Sequence, residues 1–312
     1  MSRYVRTVPF ASFATATSFI TLTFLTASYF HNLHQDKRRP DTHNMATQNR
    51  VKTPFQTLFA VHMTCDHCVK SVSDSLYSLD GITKVEADLK EQLVTVEGTA
   101  APSSIVSAIE ATGRDAILRG SGTSNSAAVC ILETYHHSEK GGEALVPASA
   151  PDALTRGWVN ERLVRGLARM VQVSPTTTVL DLIVRGVEPG TYNASIREYG
   201  NLKLGATSAG PVWAGGSGTT QPRGLLGTVE IGQDGRGSVF LDHEFQVWEV
   251  IGHAMAITRQ GEGKGELKND ENTVVGVIAR SAGMWDNDKT VCSCTGKTLW
   301  EERKDEVQKG MV

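Results

Sequence analysis

The change of pattern across residues 120–126, GSGTSNS, constrains the fold of this chain more than any other feature. The run is rich in Gly and Ser, has no apolar periodicity and reads as a linker. Upstream of it, apolar residues recur alternately at strand and helix spacing; downstream, short apolar strands follow one another between Gly, Pro, Asn and Asp turns. One architecture does not satisfy both patterns. Two domains follow, and 312 residues suffice for two cores.

In the first domain FQTLFAVH reads as a strand, and CVKSVSDSLYSL places Val69, Val72, Leu76 and Leu79 at helical spacing before Gly81 breaks the run. ITKVEADL and LVTVEG are two alternating strands around the turn Lys90-Glu91-Gln92. PSSIVSAIEAT is a second helix with Pro102 in its first turn, and AILRG is a last strand. Strand, helix, strand, strand, helix, strand is the ferredoxin-like order (βαββαβ), an α+β fold. The second domain offers the strands AAVCILE, ARMVQV, TVLDLIV, YNASIRE, GTVEI, VWEVI, HAMAIT and TVVGVIA, with residues 151–165 helical or irregular. Many short strands with Gly-rich turns make an all-β sandwich or barrel. From Trp285 the pattern fades, and the tail is expected to be a mobile arm.

The domains are therefore 52–119, a linker at 120–126, a β domain at 127–284 and a tail at 285–312, preceded by an extension at 1–51. Up to Gln35 that extension carries only Arg3 and Arg6 as formal charges, and its apolar run is interleaved with Ser and Thr. A membrane anchor, an organellar presequence and a gene-model artefact with translation from Met45 all fit these residues. A net charge of −3 and a pI of 6.3 give no basic surface for nucleic acid, which excludes that class of partner.

Five cysteines are too few for a disulfide-built fold, and four of them form two tight pairs. Cys65 and Cys68, in HMTCDHCVKSV, fall on the loop between the first strand and first helix. Unpaired amides and the helix dipole favour thiolate there. Zinc and iron–sulfur clusters ask for four ligands, whereas two soft thiolates suit Cu(I), and a thioredoxin-like dithiol belongs to another strand order. Met63 is expected to pack beneath the loop, with His62 and His67 flanking it as lesser candidates for ligation. Arg114, in ATGRDA, should come round to the same loop and offset the charge of a copper bis-thiolate. The second pair, Cys292 and Cys294 in VCSCTG, approaches the ~7 Å limit for a disulfide, so an intramolecular bond there is strained and readily attacked. That pair is able to hold Cu(I) when reduced and to pass on a disulfide when oxidised. Cys130, within AAVCILE, reads as a buried core thiol.

MTCDHC, the stretches TSAGPVW and GVIARSAGMW, and CSC followed by TGKTLWEERKD occur in this order from about Phe55 to about Val307. Together they resemble the fungal copper chaperones for superoxide dismutase. The resemblance implies a heavy-metal-associated domain, a Greek-key domain like Cu,Zn superoxide dismutase, and a CxC arm acting on the client. It also shows departures. Ser195, Arg197, Val212 and Thr258 stand where dismutases carry copper histidines, Pro222 and Leu225 where a zinc histidine and aspartate align, and Ala206 and Val275 at the disulfide positions. His243 and His253 are left as ordinary surface residues. Dismutase activity is not expected, nor zinc or copper in that domain.

What the resemblance implies is a copper chaperone rather than an enzyme in its own right. Cys65 and Cys68 acquire Cu(I), while Cys292 and Cys294 relay copper and exchange disulfide. The dismutase-like face around GVIARSAGMW, with Arg280, docks a Cu,Zn superoxide dismutase subunit as a heterodimer or a second copy as a homodimer. A general copper-buffering protein and an active dismutase with a fused copper domain are the rival readings. The expected location is the cytoplasm with a mitochondrial intermembrane-space pool, and membrane association follows only if the extension is retained.

Overall fold

The computed structural model describes residues 51–135, 163–216, 221–261, 266–286, 291 and 295–308. The extension up to residue 50, residues 151–162 of the stretch expected to be helical or irregular, and Cys292 and Cys294 lie outside the described residues.

In the first domain β1 (Phe55–Val61), α1 (Asp66–Tyr77), β2 (Ile82–Asp88), β3 (Leu93–Gly98), α2 (Pro102–Glu110) and β4 (Ala116–Ser121) follow the expected order. The four strands pair antiparallel in the order β2-β3-β1-β4, the ferredoxin-like arrangement. Val72 and Leu76 on α1, Ile105 and Ile109 on α2, and Phe59, Val61, Val94 and Val96 from the strands form its core. Cys68 and Met63 belong to the same cluster, so the loop carrying the thiols is built on the core.

The second domain is one antiparallel sheet of eight strands in the order β10-β7-β6-β5-β12-β11-β8-β9. They are β5 (Ala127–Thr134), β6 (Val164–Gln172), β7 (Thr178–Arg185), β8 (Gly190–Arg197), β9 (Leu225–Ile231), β10 (Arg236–His243), β11 (Ala254–Thr258) and β12 (Thr273–Ser281). The chain crosses over between β7 and β8 and again between β10 and β11, the Greek-key device. Edge strands β9 and β10 lie against each other, so the sheet nearly closes into a barrel around Leu132, Leu180, Tyr192, Ile196, Met255 and Ile278.

Four stretches differ from expectation. VWEVI is not a strand: Val247–Val250 is a short helix, α3, because Gln246 and Glu249 form a reciprocal capping box that outweighs the β-branched side chains. Residues 236–243, which carry only a weak alternation, form strand β10, and Val164 and Arg165 already belong to β6. The tail carries a helix of its own, α4 (Leu299–Gln308), capped by Thr298, whose N–H and hydroxyl both donate to Glu301 at 2.8 Å.

The two domains pack directly. Gly120 and Ser121 are drawn into β4, leaving a connection of 122–126 that is itself hydrogen-bonded: Gly122 N–H donates to Gln56 O and Met284 N–H to Gly122 O. A Cβ on Gly120 would lie 2.1 Å from Gly283 O, so only glycine admits this approach. Phe55 packs on Phe240 across the junction, with Val51, Val171 and Val179 around them. At the start of α2, Ser103 donates its N–H and its hydroxyl to the two carboxylate oxygens of Asp181 on β7, at 2.9 and 2.7 Å. Asp181 is buried and faces Arg169 at 3.5 Å. Burial pushes its pKa up, while Arg169 and Ser103 pull against that shift.

Candidate metal centre

Strand β1 ends at Val61 and the chain stays extended through Cys65, the N-cap of α1, at φ −161° and ψ 169°. Cys65 O accepts the N–H groups of Cys68 and Val69, which starts the helix. The two sulfurs are thereby brought to 3.5 Å. Cys65 is exposed and Cys68 is buried beneath it. Thr64 Oγ1 lies 3.5 Å from Cys68 Sγ. Its hydroxyl, then a hydrogen bond from Arg114, then one from the Thr64 backbone and one from Cys65 lower the Cys68 pKa to about 5. Arg114 comes round as expected, from the loop between α2 and β4, and also donates to Thr112 O at 2.9 Å.

Met63 is 1% exposed and packs in the core, as its expected role under the loop requires. His67 is exposed on the first turn of α1. His62 is exposed too, and its ring meets the edge of Trp300 on α4 at 6.2 Å. Two residues of this centre escape sequence reasoning. Thr64 has only its place before the N-cap as a signal, and Gln92 enters from the turn between β2 and β3 to hold the backbone of Met63.

The positions expected, on the resemblance, to align with dismutase metal ligands carry a hydrogen-bonded network of their own. Arg197, buried on β8, donates through Nε and Nη2 to Gly210 O at 3.0 and 2.7 Å, and its Nη1 lies 3.4 Å from Ser195 Oγ. Thr258 and Thr273 share a hydrogen bond of 2.9 Å. Ala206 and Val275 are buried in one small apolar cluster. The reading of His243 and His253 as surface residues is corrected. Both are half-buried: His243 lies 3.1 Å from Leu226 O and stacks on Phe245, and His253 lies 2.9 Å from Arg197 O and packs on Trp213. Among the described residues no three His, Cys, Asp or Glu side chains gather as a metal cluster. Cys130 is buried on β5, where desolvation raises its pKa to about 12, an inert core thiol as expected. Arg280 is exposed on β12 and its guanidinium lies 3.3 Å from Asn125 Oδ1.

Residues 57–115 match the heavy-metal-associated domain. The chain is 41% identical over 269 residues to the superoxide dismutase 1 copper chaperone of Debaryomyces hansenii, covering 82% of this chain and 98% of the relative. It is 36% identical over 261 residues to the protein of the same name from Saccharomyces cerevisiae, covering 80% and 95%. With the copper chaperone for superoxide dismutase of Homo sapiens the identity is 33% over 269 residues, covering 78% and 88%. This chain belongs to the family of copper chaperones for superoxide dismutase.

Proposed function

We propose that this protein carries Cu(I) on Cys65 and Cys68, delivers it to Cu,Zn superoxide dismutase, and promotes the client's intramolecular disulfide. The observation that carries this reading is the pairing, within one chain of this family, of an open two-cysteine centre with a barrel whose Ser195, Arg197 and Thr258 are hydrogen-bonded within the protein. Two cysteine sulfurs 3.5 Å apart, one exposed, favour a soft ion that enters and leaves by ligand exchange. The first centre acquires the metal, the barrel recognises the client, and the arm acts on it.

Docking falls to the outer face of β5 and β12. Ile131 is 46% and Val277 39% exposed on these adjacent strands. Arg280 adds a polar contact on the same strand. A barrel of dismutase type is suited to take the place of one subunit in a two-fold pair through such a patch, giving a heterodimer. A second copy of this chain would use the same patch.

At the client, Cys292 and Cys294 work as a dithiol/disulfide pair. A client thiolate attacks the arm's disulfide, forming a mixed disulfide and releasing one arm thiolate. The second client thiolate then displaces the other, so two electrons pass from client to arm. We place the protein in the cytoplasm with a pool in the mitochondrial intermembrane space, where reduced client subunits are available.

The test mixes protein with copper on the first pair and its arm already in the disulfide form, one equivalent per client, with copper-free, disulfide-reduced dismutase. Wild-type protein is expected to yield active, disulfide-bonded client. Cys292→Ser/Cys294→Ser protein should still bind the client but not mature it, and normal maturation by that variant overturns the role of the arm. Failure to capture reduced client, with or without residues 285–312, overturns the docking role.

A further inference from the structure

The side chain of Gln92 replaces a rung of the β-sheet ladder at the copper loop. β1 and β3 pair regularly as far as Ala60 and Leu93, and Val61 N–H then donates to Gln92 O at 2.9 Å. Beyond that point the strands part. Gln92 turns into the left-handed region, at φ 59°, and its side-chain amide takes both backbone groups of Met63. Oε1 accepts Met63 N–H at 2.9 Å, while Nε2 donates to Met63 O and, at 3.0 Å, to Leu89 O. Because an N–H only donates and a carbonyl only accepts, this network fixes which end of the amide is which.

We infer that Gln92 is a positioning residue for copper, acting through Met63 to limit how far the loop opens when the metal enters. With metal–thiolate bonds of about 2.3 Å, sulfurs at the observed separation would subtend roughly 100°, and a linear two-coordinate ion needs them about 4.6 Å apart. The pair therefore has to spread. Cys68 is buried in the helix and packed in the core, so Cys65 makes the move. Met63, buried and held at both backbone groups, confines that movement to Thr64 and Cys65 and leaves α1 and the core in place. Holding the reacting groups near their bound geometry reduces what metal binding must reorganise.

This inference rests on the reading of Cys65 and Cys68 as the Cu(I) site, and the test separates the two. Cu(I) affinity is measured by competition with a chromophoric chelator, in the full chain with Cys292→Ser/Cys294→Ser so that only the first pair reports. Gln92→Gly removes the side chain and its three hydrogen bonds, and the positive φ, which suits glycine, offsets part of that loss. Gln92→Asn keeps an amide and tolerates the same φ but is one methylene too short to reach Met63. Both variants are expected to lose about 10–100-fold in Cu(I) affinity, as outer-shell partners typically control, with a melting temperature of the metal-free protein lowered no more than by Asp181→Ala, which destabilises the protein away from the loop. Gln92→Glu keeps the acceptor and loses the two donors at neutral pH, and should fall between them and wild type. Affinity within threefold of wild type for both Gln92→Gly and Gln92→Asn overturns the inference. So does an equal loss of Cu(I) affinity in Asp181→Ala, because the loss would then follow stability and not the hold on Met63. Absence of tight Cu(I) binding by the Gln92 parent would instead overturn the site itself.

Discussion

Two regions of this molecule gather polar side chains closely, and they differ in what those groups hold. At the start of α1 the proposed donors are Cys65 and Cys68, and what surrounds them keeps them open: a helix start, one hydroxyl, one guanidinium and a pinned methionine. In the barrel the polar groups satisfy one another, Arg197 with Gly210 O and Ser195, Thr258 with Thr273. The lesson is that partners, more than the fold, decide whether a polar site stays open to a ligand. A barrel whose inner polar groups already have partners keeps its shape without metal and is free to serve as a recognition module.

The largest expected effect breaks the open site. In the background lacking the arm thiols, Cys65→Ser/Cys68→Ser should lower Cu(I) affinity by well over the roughly 100-fold that outer-shell partners control, without unfolding the protein, as followed by chelator competition and circular dichroism. Tight Cu(I) binding by that variant would mean that the barrel still holds a site. The pH dependence sharpens the same contrast. Since the Cys68 pKa is lowered to about 5, its alkylation rate should be half-maximal near that pH and flat through neutrality, while Cys130, raised to about 12, stays unreactive until the protein unfolds. In the linkage to stability, a depressed pKa contributes fully above the unfolded value of 9.0 and fades as pH falls toward about 5. Acidification through that window should therefore weaken the first domain selectively.

Next in size is the joint that makes the regions one body. Asp181→Ala leaves the half-buried Arg169 opposite an unpaired α2 start, and the roughly 3–5 kcal/mol of a fully buried pair is the upper bound for this loss. Urea unfolding should show that loss, and Arg169→Met added to it should recover part of it. In the barrel, Arg197→Ala removes charged hydrogen bonds to the half-buried Gly210 carbonyl, a loss of up to about 1.5–3 kcal/mol. It should lower the melting temperature and leave copper affinity untouched, in contrast to the Gln92 variants.

The first domain was legible almost to the residue because its periods change abruptly and Gly81, Pro102 and the Lys90-Glu91-Gln92 turn punctuate them. In the barrel, local signals compete with tertiary ones. Val247, Trp248, Val250 and Ile251 look like a strand, and only the side chains of Gln246 and Glu249 decide otherwise. Strand β10 is mostly half-buried and closes the sheet, so its alternation is faint. Among the site residues, the thiols and Arg114 could be inferred because spacing and fold order place them. Gln92 could not, because its partners lie 29 residues away and are backbone groups without a sequence identity. The histidines of the barrel misled for a related reason: a half-buried ring on a carbonyl looks, in sequence, the same as one in solvent.

The smallest expected effect concerns the arm, which leaves the barrel and returns to the open region. After β12 the chain forms a bridge between Val291 and Thr298, and α4 then lies on the first domain through Trp300 on His62 and Arg303 on Glu110 at 2.6 Å. His62 immediately precedes Met63, so the arm is held beside the copper loop. The ion pair is partly exposed, with 15% of the Arg303 and 40% of the Glu110 side chain accessible, and such pairs are worth about 0.2–1 kcal/mol. Arg303→Glu should thus raise hydrogen exchange of residues 299–308 only severalfold, and Glu110→Arg in the same chain should restore it. Trp300→Ala should add to the release without changing exchange in β1 or β12. If α4 exchanges equally fast in all of these chains, the arm is not held at the copper loop, and the two thiol pairs meet only through the client. If exchange follows the charge pairing, the contact is weak enough to break when a client docks, as an arm that serves two sites requires.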